Sequence, residues 1–297
     1  MFEKGAAKVE EAVVFGGSAD VRKQADDADG WFYQSLHRNQ ATGPEVVGMP
    51  GQPATDAADI RHFVYSDYIK EDIRDFIRRK LLEGRLVAYS RQTNDAGEAL
   101  PNALMNMTQA HIARLPLRIR EQHLPPRYSQ GNTHAQRSVL SLVREQLKHN
   151  RVSLRNLLLR NIIDTSFSRV TGAAPSLEVL YNMINSAFFS AAGVIVAPVN
   201  WLTLPIAVKI RFAYLRLQTA EHSRNPTHGH GSQWTPIDNQ LLFLATQSME
   251  YVRSWADLIL KKDTEMFGAG GAIYASVKHI QHLPTHEEVV ENQLNTD

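Results

Sequence analysis

The chain has 297 residues, 43% apolar and 21% charged, a globular balance that excludes a wholly disordered protein. It has no cysteine, which rules out a disulfide framework, a thiol nucleophile and a thiolate metal site. The net charge of +1 conceals an asymmetry: residues 1–60 hold 5 Lys and Arg against 10 Asp and Glu, residues 114–224 hold 15 against 5, and residues 225–297 hold 4 against 9.

At the N-terminus, Met1-Phe2-Glu3-Lys4 leads into acidic and small residues without an apolar run, so no secretory signal is expected. Gly16-Gly17, Gly43-Pro44 and Met49-Pro50-Gly51 punctuate residues 1–60, and the aromatics concentrate in Trp31-Phe32-Tyr33. This composition predicts an extended arm with one apolar anchor that docks on a neighbouring subunit; the plain alternative is a disordered leader.

The first helix is predicted over Ser66–Glu83, with Ser66 or Asp67 as its cap and Gly84 as a left-handed stop. Tyr65, Ile69, Ile73, Phe76, Ile77 and Leu81 form its apolar face. Asp72 and Asp75 on this helix read as ion-pair partners of the arginines beside them. Leu86–Tyr89 reads as extended, Asn94–Gly97 as a turn, and Asn102–Ile112 as a second helix. Pro116, Pro125 and Pro126 are expected to break the stretch that follows, before a polar loop at Ser129–Thr133.

A long helix is predicted from His134 to about Phe167, ended by Gly172 and Pro175, with Leu140, Val143, Leu147, Leu154, Leu158 and Ile162 as its apolar stripe. Arg137, Arg144, Lys148, Arg151 and Arg155 fall within a sector of roughly 60° beside it and extend about 27 Å at 1.5 Å per residue. Arginine's planar fork suits phosphate oxygens. Arg114, Arg118, Arg120 and Arg127 would extend the surface, and Tyr128 or His134 would stack a base. A solvated face normally mixes charge signs, yet only Glu121, Glu145 and Asp164 lie among these cations. The competing readings are an ordinary surface and pairing with acidic arms.

Val179–Val208 carries no charge. Asn182, Asn185, Pro198, Asn200 and Pro205 interrupt any clean membrane span, so a core hairpin turning at Pro198-Val199-Asn200 is expected, packed closely through Ala187, Ala191, Ala192 and Gly193. Ser176 caps its first helix over Leu177–Val196, and the second runs through Ile210, Tyr214 and Leu217 to about Ser223. Thr235-Pro236-Ile237-Asp238 predicts the start of one helix that continues through Trp255 and Ile259 to Gly268, with Asp238 reaching back to the cap. A short element follows at 273–283, then an acidic tail at 284–297.

Gly268-Ala269-Gly270-Gly271 follows a helix rather than a strand, which disfavours a dinucleotide site, and no Walker A or Gly-x-Ser-x-Gly motif occurs. His222, His228 and His230, and His279, His282 and His286, are metal candidates that read more simply as solvated loop residues. The sequence therefore predicts a mainly α protein: an N-terminal arm over residues 1–60, a helical core over 61–283 with a subdivision near 116–133, and a C-terminal tail. The expected function is non-enzymatic, without cofactor or metal. It is that of a structural assembly protein of viral coat or nucleocapsid type, in a virion or the cytoplasm. It would bind RNA non-specifically through the phosphate backbone and form homo-oligomers through arm and tail, away from membranes. The alternatives are a phage or bacterial assembly protein that binds no nucleic acid, and an enzyme built on the histidine groups.

Overall fold

The computed structural model describes residues 60–164, 169–190, 196–224, 232–268 and 273–295. Among them the backbone forms ten α-helices, one 3-10 turn and no β-strand, a mainly α protein. These residues all belong to one compact unit, Gly48–Asp297. The predicted arm lies outside the described residues apart from Ile60, as do His228, His230 and Gly270-Gly271.

Helix α1 is Asp67–Leu82. Ser66 caps it, its Oγ accepting from the Ile69 N–H, and Ile69, Ile73, Ile77 and Leu81 bury one stripe at four-residue spacing. Asp72 binds the His111 imidazole at 2.7 Å, a partner 39 residues away rather than a neighbouring arginine, and His111 stacks on Phe76. Gly84 does not take the left-handed conformation expected of it. A Cβ there would lie 3.1 Å from the backbone of Ala207 and Val208, so the glycine permits a close approach of two chain segments.

Val87 and Leu104 donate to the carbonyls of Asn102 and Ala88, tying the extended piece to the start of α2, Leu104–Arg114. The prolines that follow bracket a helix instead of preventing one. Pro116 sits at the cap of α3, Leu117–His123, where its missing N–H costs nothing and its carbonyl accepts from Ile119 and Arg120. A 3-10 turn, Tyr128–Gln130, leads to α4, Thr133–Leu158, whose cap Asn132 accepts from the His134 and Ala135 N–H groups. Helix α4 ends earlier than the periodicity suggests. Asn161 adopts φ 57°, a left-handed value that asparagine tolerates, and its side chain bonds the Ala173 carbonyl and the Thr171 N–H.

Helix α5, Leu177–Phe189, is capped by Ser176 and buries Leu180, Tyr181, Ile184 and Phe188, while Ala187 is exposed rather than at the packing seam. After the turn, where Asn182 accepts from the Val199 N–H, comes α6, Ile206–Arg224. Every residue from Ile210 to Ala220 in α6 is buried, and it packs against α4, α5 and two further helices, α7, Trp234–Leu244, and α8, Met249–Phe267. A helix buried on all sides is a core helix, and its two buried arginines, Arg211 and Arg216, must find partners inside. No described helix is long and apolar enough to cross a membrane.

The single helix expected over 235–267 is broken into α7 and α8. Ala245 and Ser248 are exposed at the break, and Ser248 caps α8 by accepting from the Tyr251 N–H. Within the segment read as an acidic tail, residues 286–294 are helical. After the short α9, Tyr274–Val277, α10, His286–Leu294, opens with a reciprocal capping box between Thr285 and Glu288. It packs on α8 through buried Val289, a Ser254-to-Val289 hydrogen bond of 2.7 Å and a Lys262–Glu288 ion pair. The acidic residues follow helix-terminus chemistry: Glu287 and Glu288 sit in the first turn, where the helix dipole favours negative charge.

Between α6 and α9, the buried His282 places Nδ1 2.5 Å from a Glu221 carboxylate oxygen and Nε2 3.3 Å from the Tyr274 hydroxyl. Burial depresses the His282 pKa below its ordinary value, against the opposing pull of Glu221. Burial alone would raise the Glu221 carboxyl, but hydrogen bonds from Arg224 and His282 outweigh it and hold the group below the usual range. Both folded values are depressed, so their contribution is complete above the unfolded histidine pKa and is lost as pH falls. Urea unfolding at a series of pH values should show stability declining below about pH 6.5 by up to about 1.4 kcal/mol per pH unit per proton. His282→Gln should flatten that decline; an unchanged slope would assign it to other groups.

Candidate nucleic-acid interface

Helix α4 has a buried face and a cationic one because its sequence alternates at helical period. Ala135, Val139, Val143, Leu147, Leu154 and Leu158 face the core, with Gln146 and Asn150 among them. Asn150 anchors the helix from below: its Oδ1 accepts from Arg78 of α1 at 3.1 Å, and the same guanidinium donates to the Phe188 carbonyl of α5. The cationic row therefore stands on a helix fixed by three-way packing.

Arg137, Arg144, Lys148 and Arg155 are exposed along that row. Among the described residues no ion pair to these four is found; Glu145, the carboxylate nearest in sequence, is paired with His149 at 3.6 Å. Arg151 shares the sector but lies at its edge beside the core. Its guanidinium donates to the Tyr89 carbonyl at 2.9 Å, and burial lowers its pKa against the attraction of Asp238. Arg151 thus anchors the 86–91 segment, and its charge faces inward to that task.

The second group predicted from sequence adjoins the N-terminal end of α4, since α3 packs on the 3-10 turn and that turn on α4. Tyr65 adds a 2.8 Å hydrogen bond to Ser138 in the first turns of α4. Arg114, Arg118 and Arg127 are exposed, Arg127 with φ 64°. Arg120 is half-buried, with its Nε enclosed and unbonded among the described residues. Tyr128 is half-buried beside it: burial raises its pKa and the charge of Arg120 opposes the shift. His134 is exposed. Burial and then the charge of Arg155 hold the His222 pKa down, and α6, which carries His222, packs against α4.

Two features of this region escape sequence reading. Asp238, placed at a helix cap by its spacing, instead accepts from the N–H groups of Tyr89, Ser90 and Arg91 at 2.6, 2.8 and 2.9 Å and from the Ser90 hydroxyl at 2.6 Å. With Arg211, which donates to the carbonyls of Leu86 and Gly84, and Arg151, it clamps residues 84–91. The second is a cavity of about 490 Å³ lined by Ile163, Arg224, Tyr274, Lys278 and His279. Its residues are scattered over more than 100 positions, so no local motif announces it. Of the predicted histidine groups, His282 binds Glu221, His286 bonds the Tyr251 hydroxyl at 3.0 Å, and no cluster of three metal-ligating side chains occurs among the described residues.

Chemically, the arrangement offers a rigid row of hydrogen-bond donors with permanent positive charge, which suits a chain of phosphates. Comparison of the chain with protein-family models, curated proteins and solved structures finds no match.

Proposed function

We propose that this is a structural protein that holds single-stranded RNA by its phosphates along the exposed row of α4, as a coat or nucleocapsid-type subunit. One observation carries the reading: Arg137, Arg144, Lys148 and Arg155 are exposed on one sector of a 26-residue helix, with no ion pair to them found among the described residues. At 1.5 Å per residue they follow one another at intervals of roughly 6–10 Å, a spacing that successive phosphates of a flexible strand can meet. The helix lies at the surface with no recognition-helix signature for a major groove, which favours backbone contact over base readout and RNA over duplex DNA.

The test is purification without nuclease treatment. The protein should emerge with an absorbance ratio at 260 and 280 nm above that of protein alone, and ribonuclease should abolish the excess. A second reading is assembly without nucleic acid, with the row meeting the acidic residues 1–60 of a neighbouring copy; their 10 carboxylates against 5 cations favour it. Large, nuclease-resistant oligomers free of nucleic acid would select that alternative.

A further inference from the structure

The cavity between the end of α6, α9 and the loop after α4 is lined by Arg224, Lys278, His279, Tyr274 and Ile163, with no carboxylate among them. The acids close by in the chain have partners of their own: Glu221 accepts from Arg224 and meets the His282 imidazole, and Asp164 accepts from the Val170 N–H. Two walls are rigid. Tyr274 is buried, stacked on His282 with ring planes 19° apart and held through its hydroxyl. Arg224 is fixed by Glu221 and by the carbonyls of Lys278 and Ile280 at 3.2 and 3.3 Å. Of the five donors of a guanidinium, these described partners take three and leave two. Lys278 and His279 are exposed at the mouth. Glu221 offsets the charge of Arg224 and the carbonyl end of α6 opposes an anion by about half a charge, so Lys278 supplies the positive excess at the mouth.

We propose that this cavity binds a phosphate group, with Arg224 and Lys278 as its charge partners, His279 as a further donor and the Tyr274 ring as a wall. The position fits a nucleotide of the strand proposed for α4, a source that rests on that reading. Ile163 follows α4 by five residues, and Arg155 bears on His222, two residues before Arg224. A free nucleotide would present the same chemistry.

Calorimetric titration of the full chain with inorganic phosphate, uridine 5′-monophosphate and a single-stranded RNA 20-mer separates these sources, using a Lys278→Gln/His279→Gln variant as the comparison. Phosphate and the mononucleotide should bind with Kd values on the order of 1 mM, at least about fivefold weaker in the variant. If the site belongs to the strand, the variant's RNA salt slope should also fall by about 0.7, one phosphate's worth. An unchanged 20-mer slope with weakened mononucleotide binding assigns the cavity to a free nucleotide. If wild type binds phosphate but not the 20-mer, the cavity stands and the RNA reading falls. The phosphate site is overturned if neither small ligand binds at about 50 mM, or if both bind the variant as they bind wild type, whatever the 20-mer does.

Discussion

Asp238→Ala is expected to lower the unfolding free energy by about 3–5 kcal/mol, the range for removing one partner of a buried charged cluster. The carboxylate is fully buried and meets three backbone N–H groups and one hydroxyl. Its loss strands those donors, each of which costs about 1–3 kcal/mol when left unsatisfied, and removes the negative charge that Arg151 experiences. Not all of that sum need be realised, because residues 89–91 can shift toward water. Asp238→Asn keeps one acceptor oxygen and the volume, and should recover about half of the loss. Urea midpoints for the two variants check this. A loss under about 1 kcal/mol for the alanine variant would mean that the 84–91 segment holds itself.

The second large effect is at a buried ion pair between α6 and α8. Arg216, fully buried on α6, presents Nε and a terminal nitrogen to the two oxygens of Asp263 on α8 at 2.8 and 2.5 Å, donates to the Pro175 carbonyl at 2.6 Å, and lies 4.3 Å from the Phe267 ring centroid. Burial pushes the Asp263 carboxyl up and the arginine opposes it, the balance expected where desolvation and Coulomb attraction are both large. Asp263→Ala leaves an uncompensated buried cation and should cost about 3–5 kcal/mol. The double change Arg216→Met/Asp263→Leu removes the charges together and should restore most of that stability. If the double variant is as unstable as the single one, the pair contributes through its shape and its bond to Pro175 rather than through charge balance.

How much of this was legible in the sequence follows from the range of the interactions. Ser66 and Ser176 act within three residues of themselves, so those two helix starts follow from capping chemistry and periodicity, as does the apolar stripe through Val143, Leu147, Leu154 and Leu158. Helix ends were less legible: Asn161 and Ser248 interrupt patterns that periodicity alone carries onward. Acids and cations committed to distant partners were the hardest. Asp238 reaches Tyr89 across 149 positions, Asp72 reaches His111, and Arg151 turns from its row toward Tyr89, all of which depend on tertiary packing. Arg211 and Arg216, in a helix otherwise apolar from Ile210 to Leu217, are the sequence signal for such buried partners. For the cationic row, spacing named the residues and the fold sorted the outward-facing ones from Arg151.

That sorting gives the most direct test of the central claim. The salt dependence of single-stranded RNA affinity should be measured for wild type, for Arg144→Gln/Lys148→Gln/Arg155→Gln, and for Arg151→Gln. Three lost phosphate contacts should reduce the slope of log K against log salt by about 2 units. Arg151→Gln should lower the unfolding midpoint and leave the slope nearly as in wild type. A triple variant whose slope and affinity equal those of wild type would contradict the account.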